Sequence, residues 1–336
     1  MREDISHILE CAGLIHDIGN PPFGHFGELA IREWFVRNLP KLTFCGQRVE
    51  EMLDEQMKED FFHFEGNAQA LRLVTKLHYL VDEHGMNLTY ALLGTIVKYP
   101  VPSTGIDAES GDIRNRKMGY YRADEETFRK ITEATGTGDR RHPLAFILEA
   151  ADDLAYKTAD IEDAFVKGFI TYSALERELK TLGEDSAGCA FHPLEKLRQL
   201  YERGMSKSVD NPESYAVKNW IVRAQGFLIS CATYGFTSNY DAIMEGSFGK
   251  DLFYGTYGEK LMELLGDMAY RYVFSSRAIY KMELTESAIL DFLMDRLVRA
   301  VLYYDTDVHQ DAIDSRVVSF ISDNYKNAYR LQAEGR

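Results

Sequence analysis

Proline is scarce, at 8 in 336 residues, so long stretches lack the one residue that breaks a helix outright. Cysteine is scarcer. The 4 thiols, Cys11, Cys45, Cys189 and Cys231, lie far apart and form no CxxC pair. That excludes a zinc ribbon and a disulfide scaffold and fits a reducing compartment. No apolar run approaches the length of a membrane span, and the opening MREDISHILE is too charged for a secretory leader. The expectation is a cytoplasmic protein with no membrane partner. Positive charge is in deficit, with 38 Lys+Arg against 53 Asp+Glu and a net charge of −15. This excludes a whole-surface grip on nucleic acid or anionic lipid, but not a local basic patch. A polyanionic ligand would need its counter-charge at the site, from a metal ion or from a few Lys and Arg.

What the chain does have is helix-forming pattern over most of its length. Apolar content of 45% and charged content of 27% are ordinary for a soluble globular protein. In 4–18, Ile5, Ile8, Leu9, Ala12 and Ile15 share one stripe. A second helix is predicted over 23–37, a short acidic one within 49–60, and one over 65–84 on Leu71, Val74, Leu77 and Leu80. Another is capped by Thr89 and ends at Tyr99, before Pro100. Residues 100–120 read as a long loop with a basic tip of Arg114, Arg116 and Lys117. Helices resume over 143–167, 172–182, 190–206, 213–233, 258–273 and 285–304, interrupted by the turn-rich SNYDAI and GSFGKDLFYGTYG. There is no internal repeat, low-complexity tract or clear linker. The fold class is all-α, organised as a single domain over 1–336.

The densest chemistry is GLIHDIGNPPFGHFGE, residues 13–28. His16 and Asp17 offer an imidazole and a carboxylate, a pair suited to a divalent first-row metal. Adjacent residues point about 100° apart on a regular helix, so both can meet one ion only at a helix end. The Gly19-Asn20-Pro21-Pro22 corner supplies that end. His25 and Glu28, three apart on the next helix, share a face. A carboxylate bonded to one ring nitrogen fixes the tautomer and raises the basicity of the other, as a general acid or base requires. A lone His-Asp dipeptide is commonplace, and a lone His-x-x-Glu is commonly a surface pair. Their combination across a proline corner is what points to a site.

A further ligand must come from elsewhere. In EAADDLAYKTADIED, residues 149–163, Asp152, Tyr156 and Asp160 recur at four-residue spacing and so lie on one helix face. Asp153, Glu162 and Asp163 are assigned to a solvated acidic face.

In order, HDIGNPPFGHFGE, FEGNAQALRL, VKYP, RNRKMGYY and EAADDLAYKTADIED resemble the motifs of the deoxyguanosinetriphosphate triphosphohydrolases. These are all-α enzymes of the HD superfamily that release triphosphate from deoxynucleoside triphosphates. The matches span about residues 10–165, with a compatible helical part over 166–336. The resemblance implies that His16, Asp17 and Asp152 are metal ligands, with Asp153 the alternative to Asp152. It implies Mg2+ or Mn2+ as the ion, and His25 with Glu28 as the catalytic histidine and its partner. By the same resemblance Asn67, Lys98 and Tyr99 meet substrate, and Tyr156 and Asp160 meet the deoxyribose. Lys117 is added as a further phosphate counter-charge. The partners implied are dGTP or another dNTP, further copies in a homo-oligomer of up to hexamer size, and single-stranded DNA.

Two family segments have no counterpart here. One is an RLTHS-like stretch carrying another metal-ligand histidine before the HD pair; the other is a DYISGMTD-like stretch after SDNYKNAYR. The expectation is a fragment. Two alternatives stay open: another HD-type nucleotide phosphohydrolase, or an inactive homologue that binds nucleotide or single-stranded DNA.

Overall fold

In a computed structural model that describes residues 2–79, 82–183, 191–308 and 310–334, sixteen α-helices carry the chain. The one sheet among the described residues is a short hairpin, β1 Thr43–Phe44 against β2 Gln47–Arg48. The fold is all-α. Leu80 and Cys189 lie outside the described residues. The chain resolves into two compact units, Met1–Ala145 with Glu283–Arg336, and Phe146–Met282.

The first unit opens with α1 Arg2–Ile15 and α2 Gly24–Asn38, then α3 Val49–Met52, α4 Glu55–Phe62, α5 Gly66–Arg72, α6 Tyr90–Ile96 and α7 Glu125–Thr135. Helix α1 lies against α6. Its predicted stripe is less buried than the pattern suggests: Ala12 is buried, whereas Ile5 is exposed. The firm apolar face belongs to α2. Ile31, Trp34, Phe35 and Leu39, at i, i+3, i+4 and i+8, form a core cluster with Phe61, Phe62, Phe64, Met294 and Val298 packed on it. Phe35 meets Trp34 edge-on with ring centroids 5.1 Å apart and Phe61 at 4.5 Å. The buried Trp34 indole N–H donates to Asp295 at 2.8 Å, so its one polar atom is satisfied.

Several predicted boundaries move, for local reasons. The first helix stops at Ile15, not residue 18. The 65–84 helix ends at Arg72 and continues only as a π-turn over Leu73–Leu77. There the Val74 carbonyl is taken by the Met86 N–H at 2.8 Å, which ends the helix with a partner from farther along the chain. Thr89 does cap α6, accepting from the Leu92 N–H at 3.3 Å, but the helix ends at Ile96 and Val97 is extended. The acidic 49–60 stretch divides into α3 and α4. Helix α7 escaped the sequence reading, although Phe128, Ile131 and Thr132 are buried on one face and Gly136 closes it at φ 71°.

Helix α8, Pro143–Val166, runs on into the second unit, which continues with α9 Tyr172–Lys180, α10 Pro193–Ser206, α11 Pro212–Ser238, α12 Tyr240–Met244 and α13 Glu259–Ala269. SNYDAI, read as a turn, contributes to α12. Helices α10 and α11 form a tight pair. Trp220, fully buried, donates its indole N–H to the Pro193 carbonyl at 2.8 Å. The Thr158 hydroxyl of α8 accepts from Gln225 of α11 at 2.9 Å. A π-turn over Tyr270–Phe274 places Arg271 and Tyr272 on Glu178 at 2.8 and 2.7 Å. The chain ends with α14 Arg277–Leu302, α15 Ala312–Ser319 and α16 Asp323–Glu334, the last two unforeseen. Among the described residues no helix is long and apolar enough to cross a membrane.

Trp34→Ala should cost about 3–5 kcal/mol in urea unfolding followed by far-ultraviolet dichroism, because it empties the centre of a packed cluster. Val36→Ala, on the exposed side of the same helix, should stay within about 0.5 kcal/mol.

Candidate active site

His16 sits at the very end of α1. Its N–H makes the last helical bond, to the Ala12 carbonyl at 2.9 Å, and the chain then turns, with the Asn20 N–H bonding the Asp17 carbonyl at 3.1 Å. Leaving the helix removes the 100° divergence of neighbouring side chains. His16 Nε2 and Asp17 Oδ2 converge to 3.5 Å. His16 Nδ1 lies 2.9 Å from the Gly13 carbonyl, which can only accept. The Nδ1 position therefore carries a proton, which leaves Nε2, on the side of Asp17, as the ring nitrogen available to a metal ion.

The double proline then redirects the chain. The Gly24 N–H bonds the Pro21 carbonyl at 3.1 Å, and Phe23 adopts a left-handed φ of 69°, a strained conformation for an aromatic residue. What packs against this corner is the start of α5. A Cβ on Gly19 would stand 2.1 Å from the Gly66 carbonyl oxygen, and one on Gly66 would stand 2.4 Å from Asn20 Oδ1 and 2.8 Å from Glu28 Oε1. Backbone meets backbone at Gly19, where only glycine fits, whereas at Gly66 an added methyl group would press on the side chains of Asn20 and Glu28.

Helix α2 carries His25 and Glu28 on one face. The His25 ring is largely exposed and the Glu28 side chain is buried, with Nδ1 and Oε2 3.3 Å apart. The other carboxylate oxygen, Oε1, accepts the Gly66 N–H at 2.7 Å. Gly66 is the first residue of α5, whose amide has no partner within its own helix and whose positive dipole end favours an anion. Glu28 thus caps one helix from another. Its hydrogen bond is the main cause that raises the His25 pKa above 6.5, helped by the Glu28 charge and opposed by partial burial and Lys117. Burial works to raise the Glu28 pKa, but the His25 hydrogen bond, the Lys117 charge and the Gly66 N–H outweigh it and hold the carboxyl below 4.5.

Two residues not foreseen complete this centre. Glu65, 1% exposed, accepts from Asn67 Nδ2 at 2.7 Å, from Arg32 Nη2 at 3.0 Å and from Lys117 Nζ at 3.0 and 3.1 Å. Arg32 also donates to the Phe64 carbonyl at 2.6 Å and approaches Glu28 at 3.5 Å. No local signal in FEGNAQ marks Glu65 for burial, since its partners Arg32 and Lys117 come from distant positions. The motif was read for its asparagine instead.

The remaining candidates fall in two places. Lys98 and Tyr99 are both buried in the first unit, and the Tyr99 hydroxyl accepts from Arg116 at 3.4 Å. Arg114, in the predicted basic tip, is occupied by Asp112, whose hydrogen bond raises its pKa. In the second unit α8 carries Asp152, Tyr156 and Asp160. Tyr156 and Asp160 are hydrogen-bonded to each other; burial, followed by the Asp160 charge, pushes the Tyr156 hydroxyl up to about 12. Burial likewise raises Asp160, whose Oδ2 is buried and has no hydrogen-bond partner among the described residues.

With this geometry established, the chain can be set beside known proteins. It is 42% identical over 339 residues to the deoxyguanosinetriphosphate triphosphohydrolase-like protein of Listeria monocytogenes, covering 99% of this chain and 71% of that protein. It is 32% identical over 370 residues to the deoxyguanosinetriphosphate triphosphohydrolase of Yersinia enterocolitica, with the same 99% and 71% coverage. A probable deoxyguanosinetriphosphate triphosphohydrolase of Pseudomonas aeruginosa is 33% identical over 307 residues, 87% of this chain and 60% of that one. No protein-family model matches the chain. The chain belongs to the deoxyguanosinetriphosphate triphosphohydrolase family.

The His25–Glu28 pair gives a pH window with a definite sign. The histidine contribution to stability is full below pH 6.5 and is lost as pH rises through the raised folded value. The glutamate contribution is full above pH 4.5 and is lost as pH falls through the lowered value. Histidine-ring NMR should place His25 above 6.5, and Glu28→Gln should lower its midpoint. Gly66→Ala should cost about 1–3 kcal/mol in thermal unfolding, since its methyl group would be forced against Asn20 and Glu28.

Proposed function

We propose that this chain hydrolyses dGTP, or another deoxynucleoside triphosphate, to the deoxynucleoside and inorganic triphosphate. The observation that carries this reading is the His25–Glu28 pair, held by the α5 N-terminus, just after a converging His16–Asp17 pair in a member of this family.

In the reaction a water oxygen bonds to the α-phosphorus and the bond to the nucleoside 5′-oxygen breaks. Water gives up a proton and the leaving oxygen gains one. His25 Nε2 is the atom placed to move a proton, since Nδ1 is tied to Glu28. A divalent ion, Mg2+ or Mn2+, would be held by His16, Asp17 and Asp152. The donor atoms at His16 and Asp17, an imidazole nitrogen beside a carboxylate oxygen, are of the kind that holds such an ion. Polarisation of a phosphoryl oxygen is the chemistry it supplies when bound.

Asn67, Lys98, Tyr99 and Lys117 are assigned to the polyphosphate and its neighbourhood, where positive charge offsets the substrate charge in an otherwise acidic chain. Tyr156 and Asp160 are assigned to the sugar. The buried Oδ2 of Asp160 is an acceptor of the kind a sugar hydroxyl would satisfy. The same reading makes the protein a cytoplasmic homo-oligomer.

Incubation of the chain with each of the four dNTPs and Mn2+, with products resolved by ion-exchange chromatography, should yield deoxynucleoside and triphosphate. Release of orthophosphate would overturn the reading in favour of another HD-type phosphohydrolase. His25→Ala should cut kcat by about 100-fold or more and leave Mn2+ binding unchanged. Asp17→Ala and Asp152→Ala should each weaken Mn2+ binding in calorimetry by about tenfold or more, comparable to losses on disturbing other metal sites.

A further inference from the structure

Two carboxylates are buried side by side behind His25. Glu28 is 2% exposed and Glu65 is 1% exposed. Two cations lie against them, and both favour Glu65. Lys117 Nζ is 3.0 Å from Glu65 Oε2 but 4.0 Å from Glu28 Oε2. Arg32 Nη2 is 3.0 Å from Glu65 Oε2 and 3.5 Å from Glu28 Oε2. The Glu28 oxygen that each cation approaches is the one facing His25.

Glu65 occupies the N-cap position of α5, and its carboxylate makes no capping bond there. The Gly66 N–H is left to Glu28. The Glu65 backbone is fixed separately, its carbonyl accepting from the Tyr121 hydroxyl at 3.3 Å. Tyr121 in turn sits under Arg72, 4.2 Å from the ring centroid, which pairs with the fully buried Asp124 at 2.8 Å.

We propose that Glu65 is a positioning residue: it draws Arg32 and Lys117 toward itself, so that one oxygen of Glu28 stays available to His25. As a part of hydrolysis this rests on the function proposed above; the coupling between the charges does not. Without the Glu65 charge, both cations fall to Glu28 and compete with the imidazole for Oε2. Without Lys117, Glu28 and Glu65 both act more strongly on the ring. The charged groups facing His25 are Glu28 from its own helix, Glu65 at the start of α5 and Lys117 from the 106–121 segment, with Arg32 acting through Glu28.

The test is the His25 ring titration by two-dimensional NMR on the whole chain without nucleotide, the signal assigned by its loss in His25→Gln. Glu65→Gln should lower the midpoint and Lys117→Met should raise it, while Glu65→Asp, which keeps the charge, should stay near the wild type. A role in packing alone would not move the midpoint in opposite directions. No movement, or movement of both variants in one direction, overturns the proposal. If Glu65→Gln does not fold, Lys117→Met decides: a raised midpoint supports the proposal and an unmoved one overturns it. Activity against pH separates the two readings. Midpoints that shift as expected in a chain that releases no triphosphate from dGTP would defeat the hydrolase reading and leave the coupling standing.

Discussion

The hydrogen bond from the Gly66 N–H to Glu28 Oε1, 2.7 Å long, is the contact on which the rest of the site depends. It joins two helices that are far apart in sequence, through the first backbone amide of α5, which has no partner within its own helix. It also fixes a carboxylate whose second oxygen holds His25. The residue types around it follow from that single approach. Gly19 must lack a side chain for the corner to reach the helix, and Gly66 leaves room for the side chains of Asn20 and Glu28. The two prolines turn the chain so that α2 starts where α5 starts, and Phe23 accepts a left-handed backbone to complete the turn.

Electrostatics explains why an acidic protein of this kind can be proposed to take a polyanion. The excess of Asp and Glu is a property of the whole chain, whereas the charges that matter are local. At the centre, Glu28 and Glu65 are matched by Arg32 and Lys117, so four ionised groups are buried or half-buried with little net charge. Burying two neighbouring carboxylates alone would force one to take up a proton. The cations prevent this, and their unequal sharing leaves Glu28 to the histidine. Lys117 is engaged by Glu65, so a phosphate would have to compete for it with a buried acid.

Much of the helical framework was legible because its signals are local. Thr89 caps α6, Pro143 opens α8, and the spacing of Ile31, Trp34 and Phe35 defines the inward face of α2. One failure occurred where a partner from farther along the chain intervened. The helix after Gly66 was predicted to run to residue 84, but Met86 folds back to take the Val74 carbonyl. Helix α7, whose cap glycine and apolar spacing are both local signals, lies in a stretch to which the sequence reading assigned no element.

Composition and short motifs by themselves determined the all-α class, the proximity of His16 to Asp17 at a helix end, and the pairing of His25 with Glu28 across one turn. Each is a matter of neighbours within four residues, where helix geometry fixes distance. Tertiary structure alone decided that Glu28 caps α5, that Glu65 lies beside it, and that Arg32 and Lys117 divide their charge between the two. Residues 28, 65 and 117 are separated by dozens of positions, and no local periodicity specifies that their side chains meet. They are brought together by tertiary contacts, among them the glycine contact at the proline corner.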